Sequence, residues 1–190
     1  MLPAMFAQAA SPMPREDPLA RATLAKRLAV RLAATDLGMP GATWDLRNVV
    51  PRVEPVLSGW SRGRISCLPI APLVFAETTG ARTGQIRTTP LTYFSDGDAV
   101  ILIGSNFGRR ENPGWYHNLL ANPEVMLRAR GRQGRFAARE VRGAERDRLW
   151  ALATRWTPPL AKYQELAGDR QIPIMRCLPL GGTAAKETQA

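Results

Sequence analysis

The chain is poor in the residues that usually run acid–base and metal chemistry. Its 190 residues include one histidine, His117, and two cysteines, Cys67 and Cys177, which lie far apart and outside any metal-ligand spacing. These three side chains cannot furnish a zinc site between them, so no metal is expected. The cysteines read as thiols in a reducing compartment, with a disulfide as the alternative. His117 follows two aromatic residues on a short segment and reads as an incidental or capping residue in preference to a general base. No apolar run approaches the roughly twenty residues that span a bilayer. The opening "MLPAMFAQAASP" lacks the basic n-region of a signal peptide, which makes cytoplasmic residence the expectation. With no nucleophile–base pair and no metal kit, the chain is suited to borrowing its chemistry from a cofactor.

Lysine is scarce too, occurring only at Lys26, Lys162 and Lys186, and arginine fills the gap. Lys and Arg total 26 against 16 Asp and Glu, for a formal net charge of +10. Residues 1–60 hold seven cations and five anions, leaving nineteen and eleven for residues 61–190. The excess therefore belongs to the globular part and not to a basic tail. It favours an anionic small molecule, a nucleic acid or an acidic membrane surface, and arginine's planar fork suits phosphates and carboxylates. Genomic bias toward arginine would give the same composition without any ligand.

The organisation reads as one domain with extensions. Residues 1–16 are expected to be disordered. "DPLARATLAKRLAVRLAATDLG" predicts a helix within 17–44, with Asp17 as N-cap, Pro18 at the first helical position and Gly38 as stop. Its apolar face (Leu24, Leu28, Leu32) is expected either to cover the domain or to make peripheral membrane contact. Residues 45–180 predict the main domain. "IAPLVFAE" reads as a strand, and "IRTTPLTYF" and "AVILIGS" flank "SDGD" as a hairpin. "NPGWYHNLLANP" reads as a short helix between two Asn-Pro breakers. "EVMLRARG" and "GRFAAREV" predict a second hairpin turning at "RQG". Helical patterns follow in "AERDRLWALATRW" and "PLAKYQELAG", then a closing strand, "IPIMRCLPL". Tight hairpins with few crossover helices predict a mainly antiparallel sheet closing into a barrel. Residues 181–190 read as a polar tail.

Three segments carry candidate chemistry. "ETTGARTGQIRTTPLTYF" has far more glycine, hydroxyl and cation than a turn requires. Thr78, Thr79, Gly80, Arg82, Thr83, Gly84 and Arg87 form a loop suited to a phosphate or carboxylate. It is not a Walker loop, because no Gly-Lys-Ser/Thr closes it before a helix. A plain hairpin loop with strand-favouring threonines is the alternative. In "GSNFGRRENPGWYHNLLANP" a strand ends near Ser105 and a helix starts near Pro113, with Arg109 and Arg110 close by. Trp115 and Tyr116 read either as a stacking platform or as core packing. In the second hairpin, Arg128 and Arg130 share parity, and with Arg132, Arg135, Arg139 and Arg142 they read as a solvated barrel exterior. No aromatics are interleaved for base stacking, so no nucleic acid is expected.

The ordered landmarks resemble the deazaflavin-dependent nitroreductase family, whose members use coenzyme F420. These landmarks are Thr78-Thr79-Gly80, Thr83-Gly84, Arg87, Pro90, Ser105, Asn112-Pro113, Trp115-Tyr116, Asn118-Leu119, Ala121-Asn122-Pro123, Val125 and the closing "GDRQIPI". The resemblance runs from about Asp45 to Pro179. It implies a split β-barrel, mainly β with α, related to the flavin-binding pyridoxamine-phosphate oxidases. It further implies a groove whose basic loop holds the cofactor's phosphate and glutamyl tail through Arg82, Thr83 and Arg87, beside Ala81. Thr92, Ser105 and Asn106 would sit by the ring system, Pro90 among the cofactor contacts, and Trp115, Tyr116 and Asn118 would close the site. Departures are Ala81, where relatives often carry a cation, and Phe107-Gly108, where they often have two glycines. Leu160 stands near a position that can be tyrosine. Tyr163 is assigned to the substrate side. The implied activity is hydride transfer from reduced deazaflavin C5 to a quinone, nitro or conjugated carbonyl acceptor. The alternatives are an FMN-dependent oxidoreductase of the same fold and a non-enzymatic basic binding module.

Overall fold

The computed structural model describes residues 11–16, 72–157 and 159–181. The predicted N-terminal helix, Cys67 and the polar tail from residue 182 lie outside the described residues. Six strands, β1 (Leu73–Thr79), β2 (Ile86–Asp96), β3 (Ala99–Ile103), β4 (Glu124–Ala129), β5 (Arg132–Glu140) and β6 (Ile174–Pro179), form a closed barrel in the order β1-β2-β3-β6-β5-β4. Every neighbouring pair is antiparallel. The described residues also form three α-helices: α1 (Gly114–Ala121), α2 (Gly143–Trp156) and α3 (Pro159–Leu166). Among the described residues none is long and apolar enough to cross a membrane.

Period-two patterning sets which side chains enter the barrel. Val74, Ala76 and Thr78 of β1 are buried, as are Val125, Leu127 and Ala129 of β4 and Phe136 and Ala138 of β5. β3 is apolar on both faces because both are covered. Val100 and Leu102 join the barrel interior, while Ala99 and Ile101 pack with Leu149 and Ala153 of α2 and Leu160 of α3. Pro123 follows α1 and ends it, and the Asn122 N–H closes its last turn on the Asn118 carbonyl at 2.7 Å.

Two expectations are corrected. The second hairpin turns at Arg130-Gly131, not at "RQG", since Ala129 pairs with Arg132 and Gly134 lies within β5. Both turn residues have positive φ (50° and 76°), which a two-residue hairpin with the favoured twist requires. Arg130 thus leaves the strand instead of sharing a face with Arg128.

The second correction concerns residues 11–16, which are seated on the barrel instead of disordered. Met13 is 2% exposed and belongs to the barrel core. The Tyr93 hydroxyl donates to the Pro14 carbonyl (3.1 Å), and the Ser95 N–H to the Glu16 carbonyl (2.9 Å). Arg130 pairs with Glu16 at 2.8 Å. The segment runs beside β2 at Tyr93–Asp96, beyond the start of β1.

Candidate active site

The β1–β2 loop is held by its own backbone and by α1. Thr79 and Ile86 are the last paired residues, and the Gly80 N–H donates to the Gln85 carbonyl at 2.8 Å across the loop mouth. A Cβ at Gly80 would lie 2.8 Å from Thr83 Oγ1 and 3.1 Å from that carbonyl, so a larger residue would have to displace both. Helix α1 fixes the loop from below through Asn118. This buried amide donates to Thr78 Oγ1 (3.0 Å) and accepts from the Ala81 N–H (3.0 Å). One side chain therefore ties a β1 hydroxyl to the loop backbone, and Asn122 adds a bond to the Thr79 carbonyl at 3.3 Å.

Between loop and helix lies an open cleft of about 430 Å³. Gly80, Ala81, Arg82 and Thr83 line it from the loop and Arg87 from β2, while Gly114, His117 and Asn118 face it from α1. Its charge is uncompensated. Most other described arginines are neutralised, Arg128 by Glu77, Arg135 by Glu124, Arg139 by Glu145, Arg142 by Glu140, and Arg148 and Arg176 by Asp96. Among the described residues Arg82 and Arg87 have no ion pair or hydrogen-bond partner, and neither do Arg109 and Arg110 on the loop that enters α1. The hairpin arginines thus behave as a solvated face held by its own carboxylates, Arg132 apart. The cleft presents free guanidinium forks and hydroxyls, a donor set that fits a phosphate or carboxylate.

A second element follows β3. Ser105 leads into a short 3-10 turn, Asn106–Gly108, in which three successive residues have positive φ: Asn106 47°, Phe107 53° and Gly108 73°. For the two non-glycine residues this costs on the order of 1–3 kcal/mol each and persists only where surroundings enforce it. A Cβ at Gly108 would come within 2.9 Å of the Tyr163 carbonyl, so α3 packs directly on the turn. The Phe107 and Tyr163 rings meet edge to face at 6.1 Å. Across the loop reaches Arg170. It donates through Nε to the Arg109 carbonyl (2.9 Å), through Nη1 to the Gly104 carbonyl and Asn112 Oδ1 (both 3.0 Å), and through Nη2 to the Ser105 carbonyl (2.8 Å).

Of the residues expected at the cofactor, Ala81, Arg82, Thr83, Arg87 and Asn118 come together in the cleft. Pro90 and Thr92 lie farther along β2, opposite Phe75 and Leu73, and Ser105 and Asn106 form the turn after β3. Trp115 and Tyr116 are both buried in the barrel core instead of lining the cleft. The Tyr116 hydroxyl donates to Glu140 (3.2 Å); burial, and then that carboxylate, raise its pKa, so it stays protonated and committed to that bond. Cys177, pushed up to about 12 by burial, is an inert thiol. Sequence reasoning read His117 as incidental or capping and passed over Gly114; the turn of α1 carries both into the cleft beside Asn118. The buried polar Asn118 was the available signal, since its helix neighbours follow once it faces the loop.

Known proteins supply the remaining comparison. The family model for F420H(2)-dependent quinone reductase matches residues 59–179. An F420H(2)-dependent quinone reductase of Mycobacterium tuberculosis is 40% identical over 133 residues, covering 65% of this chain and 86% of that protein. A putative one from Mycobacterium bovis matches to the same extent. A solved F420-H2 dependent reductase superposes with a TM-score of 0.51 at 36% identity, covering 56% of this chain and 93% of that one. Barrel, basic cleft and sequence agree, and the chain belongs to the F420H(2)-dependent quinone reductase family.

Proposed function

We propose that the cleft between the β1–β2 loop and α1 holds the acidic side chain of coenzyme F420, and that the acceptor is a quinone or related conjugated carbonyl. As a member of its family the chain is an F420H2-dependent oxidoreductase, and neither the FMN alternative nor the binding-module alternative is favoured. The carrying observation is the pair of unneutralised guanidinium groups, Arg82 and Arg87, in a molecule whose other arginines are mostly paired. Arg82, Arg87 and the Thr83 hydroxyl bind the phosphate and glutamyl carboxylates. Asn118 keeps the loop in its receiving shape, and the glycines let the backbone approach the anion. Ser105, Asn106 and Thr92 orient the ring system, and Tyr163, on α3 beside Phe107, borders the acceptor. When bound, reduced F420 supplies a hydride at C5. The protein contributes orientation and electrostatics, with the Ser105 hydroxyl or water delivering the proton that completes reduction.

The test is a fluorescence titration of purified protein with F420 and FMN at moderate salt. Selective F420 binding is expected. Arg82→Ala and Arg87→Ala should each raise Kd roughly 10- to 100-fold, as the loss of about 1.5–3 kcal/mol from a charge-assisted bond implies. Affinity unchanged in both variants would remove the anion from this cleft.

A further inference from the structure

We infer that Arg170 is a positioning residue for the reaction: its guanidinium clamps the 104–112 loop and thereby holds the left-handed Asn106–Gly108 turn on the ring side of the site. The inference rests on the reading above that Ser105 and Asn106 orient the ring.

Three further bonds are local to the turn. Gly108 N–H donates to the Ser105 carbonyl (2.9 Å), Arg109 N–H to the Asn106 carbonyl (3.1 Å) and Asn106 Nδ2 to the Glu111 carbonyl (2.9 Å). Bonds of this kind travel with the loop and do not fix it against the barrel. Arg170 does, since one rigid fork satisfies acceptors at both ends of the loop, Gly104 and Ser105 where it leaves β3 and Arg109 and Asn112 where it approaches α1. The fork is itself anchored. Gln164 of α3 donates to the Arg170 carbonyl (2.7 Å) and accepts from the Ile172 N–H (2.9 Å), and Gly104 N–H donates to the Pro173 carbonyl (2.8 Å). The geometry ties the site's candidate ring contacts to α3, which carries Tyr163. A lysine offers a compact point charge in place of the planar fork and cannot reach four acceptors spread this way.

The experiment compares wild type, Arg170→Met, Arg170→Lys and Asn112→Ala with a control, Arg148→Met, whose side chain pairs with Asp96 away from the site. The first readout is tryptic cleavage after Arg109 and Arg110, both exposed, with and without saturating F420. Arg170→Met should be cut there about tenfold faster than wild type, since local opening governs cleavage, while Arg148→Met is cut at the wild-type rate. The second is a split between binding and turnover. F420 Kd should rise less than about fivefold because the Arg82–Arg87 cleft is untouched. In contrast kcat with a quinone should fall roughly 100-fold, as expected for an ångström-scale misplacement. Lysine should not rescue it. Asn112→Ala, which removes one acceptor and leaves the barrel alone, should show the same pattern more weakly and serves if Arg170→Met does not fold. An unchanged kcat in both Arg170→Lys and Asn112→Ala overturns the inference, as does a loss of kcat that Arg148→Met shares. Failure of wild type to bind F420 would instead overturn the cleft reading, which the cleavage rates do not touch.

Discussion

Asn118 concentrates the local logic of the site. A buried amide has to satisfy both its donor and its acceptor, and here the two partners are the Thr78 hydroxyl and the Ala81 N–H. Asn118→Asp keeps an acceptor for Ala81 but loses the donor to Thr78 and places a negative charge under an anion cleft. It should cost about 1–3 kcal/mol of stability and weaken F420 more than Asn118→Ala does. Chemical denaturation and the same fluorescence titration read the two effects, and equal Kd in both variants would argue against anion binding. At this scale the sequence was informative where a segment held surplus chemistry. Glycines, hydroxyls and cations crowded between two strands identified Arg82, Thr83 and Arg87 without any fold. Arg170 stood in the landmark "GDRQIPI", but its role was opaque, because its partners lie 58 to 66 residues away.

Elements assemble through a few charged staples as well as through the core. Asp96, at the end of β2, accepts two bonds from Arg148 of α2 (2.9 and 2.8 Å) and a further one from Arg176 of β6. The Arg148 bonds lead in lowering the Asp96 pKa to about 2, with Arg176 assisting against the desolvation. A carboxyl depressed in the folded state adds stability above its unfolded pKa of about 4, and that contribution is lost as pH falls toward 2. Asp96→Asn should therefore be less stable by about 1–2 kcal/mol at neutral pH, with the difference shrinking between about pH 4 and 2. Urea midpoints at a series of pH values measure it, and a gap that stays constant down to pH 2 would rule it out. Hairpins and α1 were legible because alternation, glycine and the two Asn-Pro pairs act locally. The turn of the second hairpin was displaced because Gly134 looked like punctuation. It is in fact a strand residue kept small by the Pro12 ring, which a Cβ there would strike. The seating of residues 11–16 was equally hidden, since Met13 finds its pocket only once the barrel exists.

Across the whole molecule, charge is distributed unevenly more than it is abundant. Among the described residues ion pairs neutralise most barrel-exterior arginines, and, Arg132, Arg155 and Arg170 apart, the arginines without an ion pair lie at the cleft and the loop entering α1. F420 affinity should accordingly fall as ionic strength rises from about 0.05 to 0.5 M, and the slope should flatten in Arg82→Ala because one screened contact is gone. Isothermal titration across that range decides, a flat wild-type profile being the contrary result. Net charge left an anionic small molecule, a nucleic acid, an acidic membrane and mere arginine bias all open; which arginines lack a carboxylate needed the fold, because paired and unpaired arginines look identical in a string of letters.

β6 follows the other described strands in sequence, yet it lies between β3 and β5. Until residues 174–179 leave the ribosome, two apolar strand edges have no partner, and the barrel exists only as an open, sticky ribbon. The commitment to fold thus waits for residues 174–179. Premature termination anywhere upstream of Ile174 yields not a smaller enzyme but an edge-exposed sheet of the kind that aggregates or is captured by chaperones.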